Sequence, residues 1–181
     1  VRTNEHVNHK ELWEMMPDHV DFVIAQWADA MPDLDASSMA VFGRILRIMK
    51  QLGKARASAL APFGFREGEF DVLATLRRAG DPFRLTPTQL FTSLLVTSGA
   101  MTNRLSRLEA SGLIARIPDP ADKRSMMVGL TPKGLTLIEQ ALVVHTQTQD
   151  RMLKGLSQPQ QIALQDLLRQ MLAEEESASR I

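Results

Sequence analysis

The sequence predicts a mainly α-helical fold with one small β-hairpin. Three observations lead there. Apolar residues recur at helical spacing through most of the 181 residues. Cap-and-proline starts stand at Thr86-Pro87-Thr88-Gln89, Thr131-Pro132 and Ser157-Gln158-Pro159-Gln160. Between Leu113 and Leu130 the pattern changes to two short strands around a turn-rich loop. A hydrophobic content of 44% with 23% charged residues is enough to fold around a core.

The elements follow in order. Residues 1–10 read as a tail. An acidic amphipathic helix at 18–30 carries Val20, Val23, Ile24, Trp27 and Met31 on its apolar side, with Pro17 in its first turn. Pro32 to Ser38 is a linker. A long helix at 38–60 has two apolar rows, Phe42, Leu46 and Met49 beside Val41, Ile45, Ile48 and Leu52, so it is expected to be buried on two sides, one facing its own domain and the other a partner chain. Pro62 and Gly64 end it. A helix at 66–79 turns Phe70, Leu73 and Leu76 inward and stops at Gly80. Thr86 and Gln89 form a capping box for a short helix with Leu90, Phe91 and Leu94. After a break at 96–99, a helix at 98–111 buries Met101, Leu105 and Leu108 and ends at Gly112. Strands at 113–117 and 125–130 flank the charged loop 118–124. Helices then run from Thr131 to Arg151 and from Ser157 onward, the last with Ile162, Leu164, Leu167, Leu168, Met171 and Leu172. The 10 methionines stand mostly at apolar helical positions and read as core.

Several function classes drop out. With no cysteine there is no disulfide, thiolate metal site or thiol redox sensor. No run of about 20 apolar residues exists, and the first ten residues are not a signal core, which favours a cytoplasmic location. His6 and His9 have an i, i+3 spacing that could ligate a metal but lie in the tail, and His19 and His145 lack partners at a metal-binding spacing, so no metal is expected. No catalytic triad, P-loop or dinucleotide loop appears, so neither an enzyme nor a cofactor is expected. Net charge is zero, yet residues 1–40 sum to −6, residues 41–134 to +8 and residues 135–181 to −2. Charge alone leaves open whether the basic centre meets a polyanion or is simply solvated.

The order of elements resolves this. Two short helices and a basic-tipped hairpin make a winged helix-turn-helix, whose second helix fits the DNA major groove. The candidate contacts on that helix are Thr97, Ser98, Gly99, Ala100, Thr102, Asn103, Arg104 and Arg107. Ser106 lies on the same outer turns. On the wing the candidates are Lys123 and Arg124, suited to the narrow minor groove.

The run Asp119-Pro120-Ala121-Asp122-Lys123-Arg124-Ser125-Met126-Met127-Val128-Gly129-Leu130-Thr131-Pro132-Lys133-Gly134 resembles the wing signature of MarR-type transcriptional regulators. The resemblance covers roughly residues 38–175. It implies a homodimer with intertwined terminal helices, bound to a pseudo-palindromic double-stranded DNA operator as a repressor. It also implies that Asp122 orients Arg124. The expected organisation is an N-terminal extension at 1–36, dimerisation helices at 37–64 and 132–181, and a DNA-binding lobe at 65–131. The extra N-terminal helix is similar to that of the urate-responsive, PecS-like branch of the family. That resemblance implies a ligand site of Trp27, Asp71, Arg104 and Arg116, with two guanidinium groups for an anionic purine and the indole as a wall. The alternative is a regulator responding to phenolic or aromatic carboxylate ligands.

Overall fold

The computed structural model describes residues 16–66, 68–94, 98–119, 122 and 125–178. The chain divides into two compact units, Val1–Lys54 and Ala55–Ile181.

In the first unit, helix α1 (His19–Ala30) starts at Asp18, whose carboxylate accepts the N–H groups of Val20 and Asp21. Pro17 therefore precedes the cap and lies outside the first turn where the sequence reading placed it. The Asp21 N–H above all, with that of Val20 and the Arg44 guanidinium, holds the Asp18 carboxyl below its ordinary range. Arg44 of helix α2 (Ser37–Leu60) reaches Asp18 at 2.8 Å and Asp21 at 2.7 Å. Val20 packs so closely on Gly43 that an added Cβ there would lie 3.0 Å from it. Trp27 does not share this burial; it is 37% exposed. The apolar rows of α2 are exposed as well, including Val41, Phe42, Leu46, Ile48 and Met49. Burial of these rows against the chain's own described residues is thus not seen, and the side expected to face a partner chain is left open. The expectation that the methionines are core holds for few of them. Met101 is core, but Met31, Met39, Met49, Met126 and Met171 are exposed, because most of them stand on helix faces that no described residue covers.

The second unit holds the core. A 3-10 turn (Ala61–Phe63) carries Pro62 and ends on Gly64 at φ 70°, a left-handed conformation that glycine adopts without strain. Helix α3 is Glu69–Arg78, three residues shorter at its start than the spacing suggested. Gly68, at φ 75°, redirects the chain there, and Glu69 folds back to accept the Arg66 N–H at 2.9 Å. Phe70, Leu73 and Leu76 point inward as expected, joined by Val72. Strand β1 (Arg84–Leu85) was not foreseen; two residues are too few to show a period. It precedes helix α4 (Pro87–Leu94), where the capping box forms in full. Thr86 N–H donates to Gln89 Oε1 at 2.8 Å, and Gln89 N–H donates to Thr86 Oγ1 at 3.2 Å.

Helix α5 (Ser98–Ala110) buries Met101, Leu105 and Leu108. Strands β2 (Ile114–Pro118) and β3 (Met126–Leu130) pair antiparallel, and β1 adds to the free side of β3, giving the order β1-β3-β2. Helix α6 (Pro132–Leu153) closes the core with Ile138 and Ala141. Helix α3 packs against α4, α5, α6 and β3, and so forms the centre of this unit. Helix α7 (Gln158–Ala178) leaves Ile162, Leu164, Leu167, Leu168, Met171 and Leu172 exposed. No described helix is long and apolar enough to cross a membrane.

Candidate nucleic-acid interface

Helices α4 and α5 are the pair that the helix-turn-helix pattern requires. Leu90 on α4 and Leu108 on α5 are fully buried and Leu105 is nearly so, which fixes both helices to the core from beneath. With those rows inward, α5 turns Gly99, Thr102, Asn103 and Ser106 outward, all exposed. That strip runs along one face at helical spacing, with small and hydrogen-bonding groups only. It is suited to close approach and to polar contacts with base edges or phosphates. Thr97, and the side chains of Ser98 and Ala100, lie outside the described residues.

The arginines of α5 are placed differently. Arg104 and Arg107 are half-buried on the flank of the helix that meets α3. Arg107 Nε donates to Glu69 Oε1 at 2.8 Å, and the Glu69 side chain is only 9% exposed. The Arg104 guanidinium lies over Gly68; an added Cβ there would be 2.2 Å from its Cζ. Sequence reasoning found both arginines but not their partners. The Glu69–Arg107 pair spans 38 positions, and no local spacing announces it.

The wing is the β2–β3 hairpin. Its ladder runs from Ile114 opposite Leu130 to Pro118 opposite Met126. Asp119 N–H donates to the Ser125 carbonyl at 2.9 Å, and Ser125 N–H donates to that of Asp122 at 2.8 Å. Asp122 is exposed. Lys123 and Arg124 lie outside the described residues. The wing's base is tied to α6 by Thr131. Its hydroxyl donates to the Gly112 carbonyl at 2.8 Å and accepts the Gly134 N–H at 3.0 Å. Gly134 must be glycine, since a Cβ would sit 1.9 Å from the Leu113 carbonyl oxygen. The Thr-Pro-Lys-Gly end of the signature is thus a packing device that joins the base of the wing to the start of α6.

The residues expected at a ligand site have separate engagements. Asp71 accepts from Arg56 Nη2 at 2.5 Å, at the C-terminal end of α2. Arg56 also lies 5.1 Å over the Phe70 ring, and the His145 ring of α6 packs against the same ring with centroids 4.9 Å apart. Burial, then the charge of Arg56, lowers the His145 pKa, against an opposing pull from Asp71. His145 Nδ1 is buried and without a hydrogen-bond partner among the described residues. Arg104 reaches the start of α3, the turn that bears Asp71, whereas Arg116 Nε is drawn to Glu109 at 3.1 Å. The structure therefore gathers Asp71 and Arg104 at one turn and engages Arg116 elsewhere. The contacts of Arg56 with Asp71 and Phe70, and of His145 with Phe70, were not foreseen, because their partners lie 14 or more positions apart and no local spacing announces them. Among the described residues no acidic or histidine cluster could hold a metal ion.

The MarR family model matches residues 63–125, the stretch from the 3-10 turn through the wing tip. The chain is also 33% identical over 149 residues to the HTH-type transcriptional regulator PecS of Dickeya dadantii, covering 82% of this chain and 90% of that protein. The chain belongs to the MarR family. Solved structures of the family agree with its architecture. A mutant MarR from E. coli complexed with operator DNA superposes with a TM-score of 0.62 at 28% identity, covering 81% of this chain and 97% of that one. BpsR of Bordetella bronchiseptica, described as regulated in its DNA binding by 6-hydroxynicotinic acid, gives 0.60 at 26% identity, covering 71% and 91%. The winged helix-turn-helix regulator read from the wing signature is thus shown at the level of family and fold.

Proposed function

We propose that this MarR-family chain is a homodimeric repressor that binds a pseudo-palindromic operator and is released from it by an anionic purine such as urate. The observation that carries the DNA reading is the outer strip of α5. Gly99, Thr102, Asn103 and Ser106 are exposed in a row, on a helix whose opposite face is locked into the core. The operator complex of a similar MarR supports placing that helix in a major groove. Thr97, Ser98, Ala100, Arg104, Asp122, Lys123 and Arg124 complete the expected contacts, and Arg107, also expected there, is held by Glu69. The exposed apolar faces of α2 and α7 support the dimer.

The ligand reading rests on the similarity to PecS and on Trp27, Asp71, Arg104 and Arg116. Two arginines suit a planar anion, and Asp71, already held by Arg56, would be repelled by it. The second reading is an aromatic carboxylate, favoured by the resemblance to BpsR. The test is a DNA shift assay on the upstream region of the protein's own gene, titrated with urate, xanthine, salicylate and 6-hydroxynicotinate. Release by urate that is blunted in Trp27→Phe, with DNA affinity retained, supports the first reading. Release of wild type and Trp27→Phe alike by a carboxylate only would replace it with the second. Absence of any shift on that DNA would count against the repressor reading itself.

A further inference from the structure

One helical turn is gripped from two directions. From α5, Arg107 bonds Glu69 at 2.8 Å, and the Arg104 guanidinium covers Gly68. From the end of α2, Arg56 bonds Asp71. Glu69 is buried, and neither of its oxygens is idle: Oε1 accepts from Arg107 and Oε2 accepts the Arg66 N–H at 2.9 Å. A carboxylate in the first turn of α3 is favoured by the helix dipole, so this charge is held in place before Arg107 arrives. An arginine whose Nε–H is spent on a buried carboxylate is fixed in direction, and the helix bearing it is fixed with it.

We propose that Glu69 is a positioning residue for DNA binding, and that Arg107 is the tether of the recognition helix rather than a contact to DNA. The pair sets the rotation of α5 about its own axis, and so decides whether the outward strip of Thr102, Asn103 and Ser106 faces the groove. The DNA-facing role of α5 is taken from the function proposed above; the tether itself is a property of the free protein.

The experiment uses the full chain and a duplex carrying the upstream region of its own gene. Glu69→Gln, Arg107→Gln and the double variant should each lower affinity about tenfold, close to 1.4 kcal/mol, with the double variant no worse than the weaker single. The dependence of affinity on salt should stay at the wild-type slope in Arg107→Gln. A phosphate contact behaves oppositely: its loss reduces the slope by about one, and Glu69→Gln would then leave affinity unchanged or raise it by freeing the cation. Either result overturns the proposal. Arg107→Lys guards against a variant that fails to fold. It keeps the charge but not the Nε–H that meets Glu69, so affinity should still fall, and wild-type affinity would overturn the tether. A second readout needs no DNA. Amide hydrogen exchange in α5 should rise in Glu69→Gln, while the β2–β3 hairpin and α6 keep wild-type protection. Unchanged exchange in α5 would overturn the proposal even if the chosen duplex is not bound, which separates its failure from failure of the repressor reading.

Discussion

At Gly134 a hydrogen stands where no side chain fits. The Leu113 carbonyl oxygen would lie 1.9 Å from an added Cβ, and backbone cannot swing aside as a flexible side chain can. Gly134→Ala should therefore destabilise the fold by about 3 kcal/mol or more, read as a lowered denaturation midpoint; a midpoint within error of wild type would contradict the packing argument. His145 makes a different kind of demand. Burial, then Arg56, holds its pKa below the ordinary 6.5, with Asp71 opposing. The unfolded chain then binds a proton that the fold resists, so this residue costs stability as the pH falls through about 6.5. Thermal melts should show wild type losing more stability than His145→Asn between about pH 7.5 and 5.5. Equal losses in the two proteins would show that the imidazole has no such penalty.

At the scale of elements, starts and stops were legible and interactions were not. The capping box of α4, the Thr131 cap of α6 and the glycine stops at 64, 80 and 112 are local chemistry, readable within four residues. The late start of α3 was not, because it depends on Gly68 taking a positive φ and on Glu69 folding back. The hairpin was visible as a pattern, while β1 became a strand only because β3 had an edge to offer it. The wing also carries a prediction. Arg124→Ala should weaken operator binding by about 1–3 kcal/mol and leave the dimer intact, whereas Lys123→Ala should cost less and mainly flatten the salt dependence. Equal and negligible effects in a shift assay would show that the wing is not a reader.

For the whole molecule, the largest unmet requirement is apolar. Leu46 is 69% exposed on α2 and Leu172 63% exposed on α7, each within a row of exposed neighbours. Faces of that kind are covered by another chain or drive aggregation. Sedimentation should find a dimer at micromolar concentration, and Leu46→Glu or Leu167→Glu should shift it toward monomer. A wild-type monomer under those conditions would remove the basis for two-fold operator recognition.

The sequence by itself determined the order of the described α-helices, the hairpin and the wing signature, because caps, turns and periodicity act over a few neighbouring residues. It also located the outward strip of α5, since the buried row of that helix dictates which residues point away from the core. Only the tertiary structure decided what the charged side chains do. Arg107 could equally have met a phosphate, and Asp71 could have capped its own helix. Each took a partner 38 and 15 positions away respectively. An ion pair is chosen by distance in space, and distance in space is set by the packing of α3 at the centre of its unit, which no local run of residues encodes.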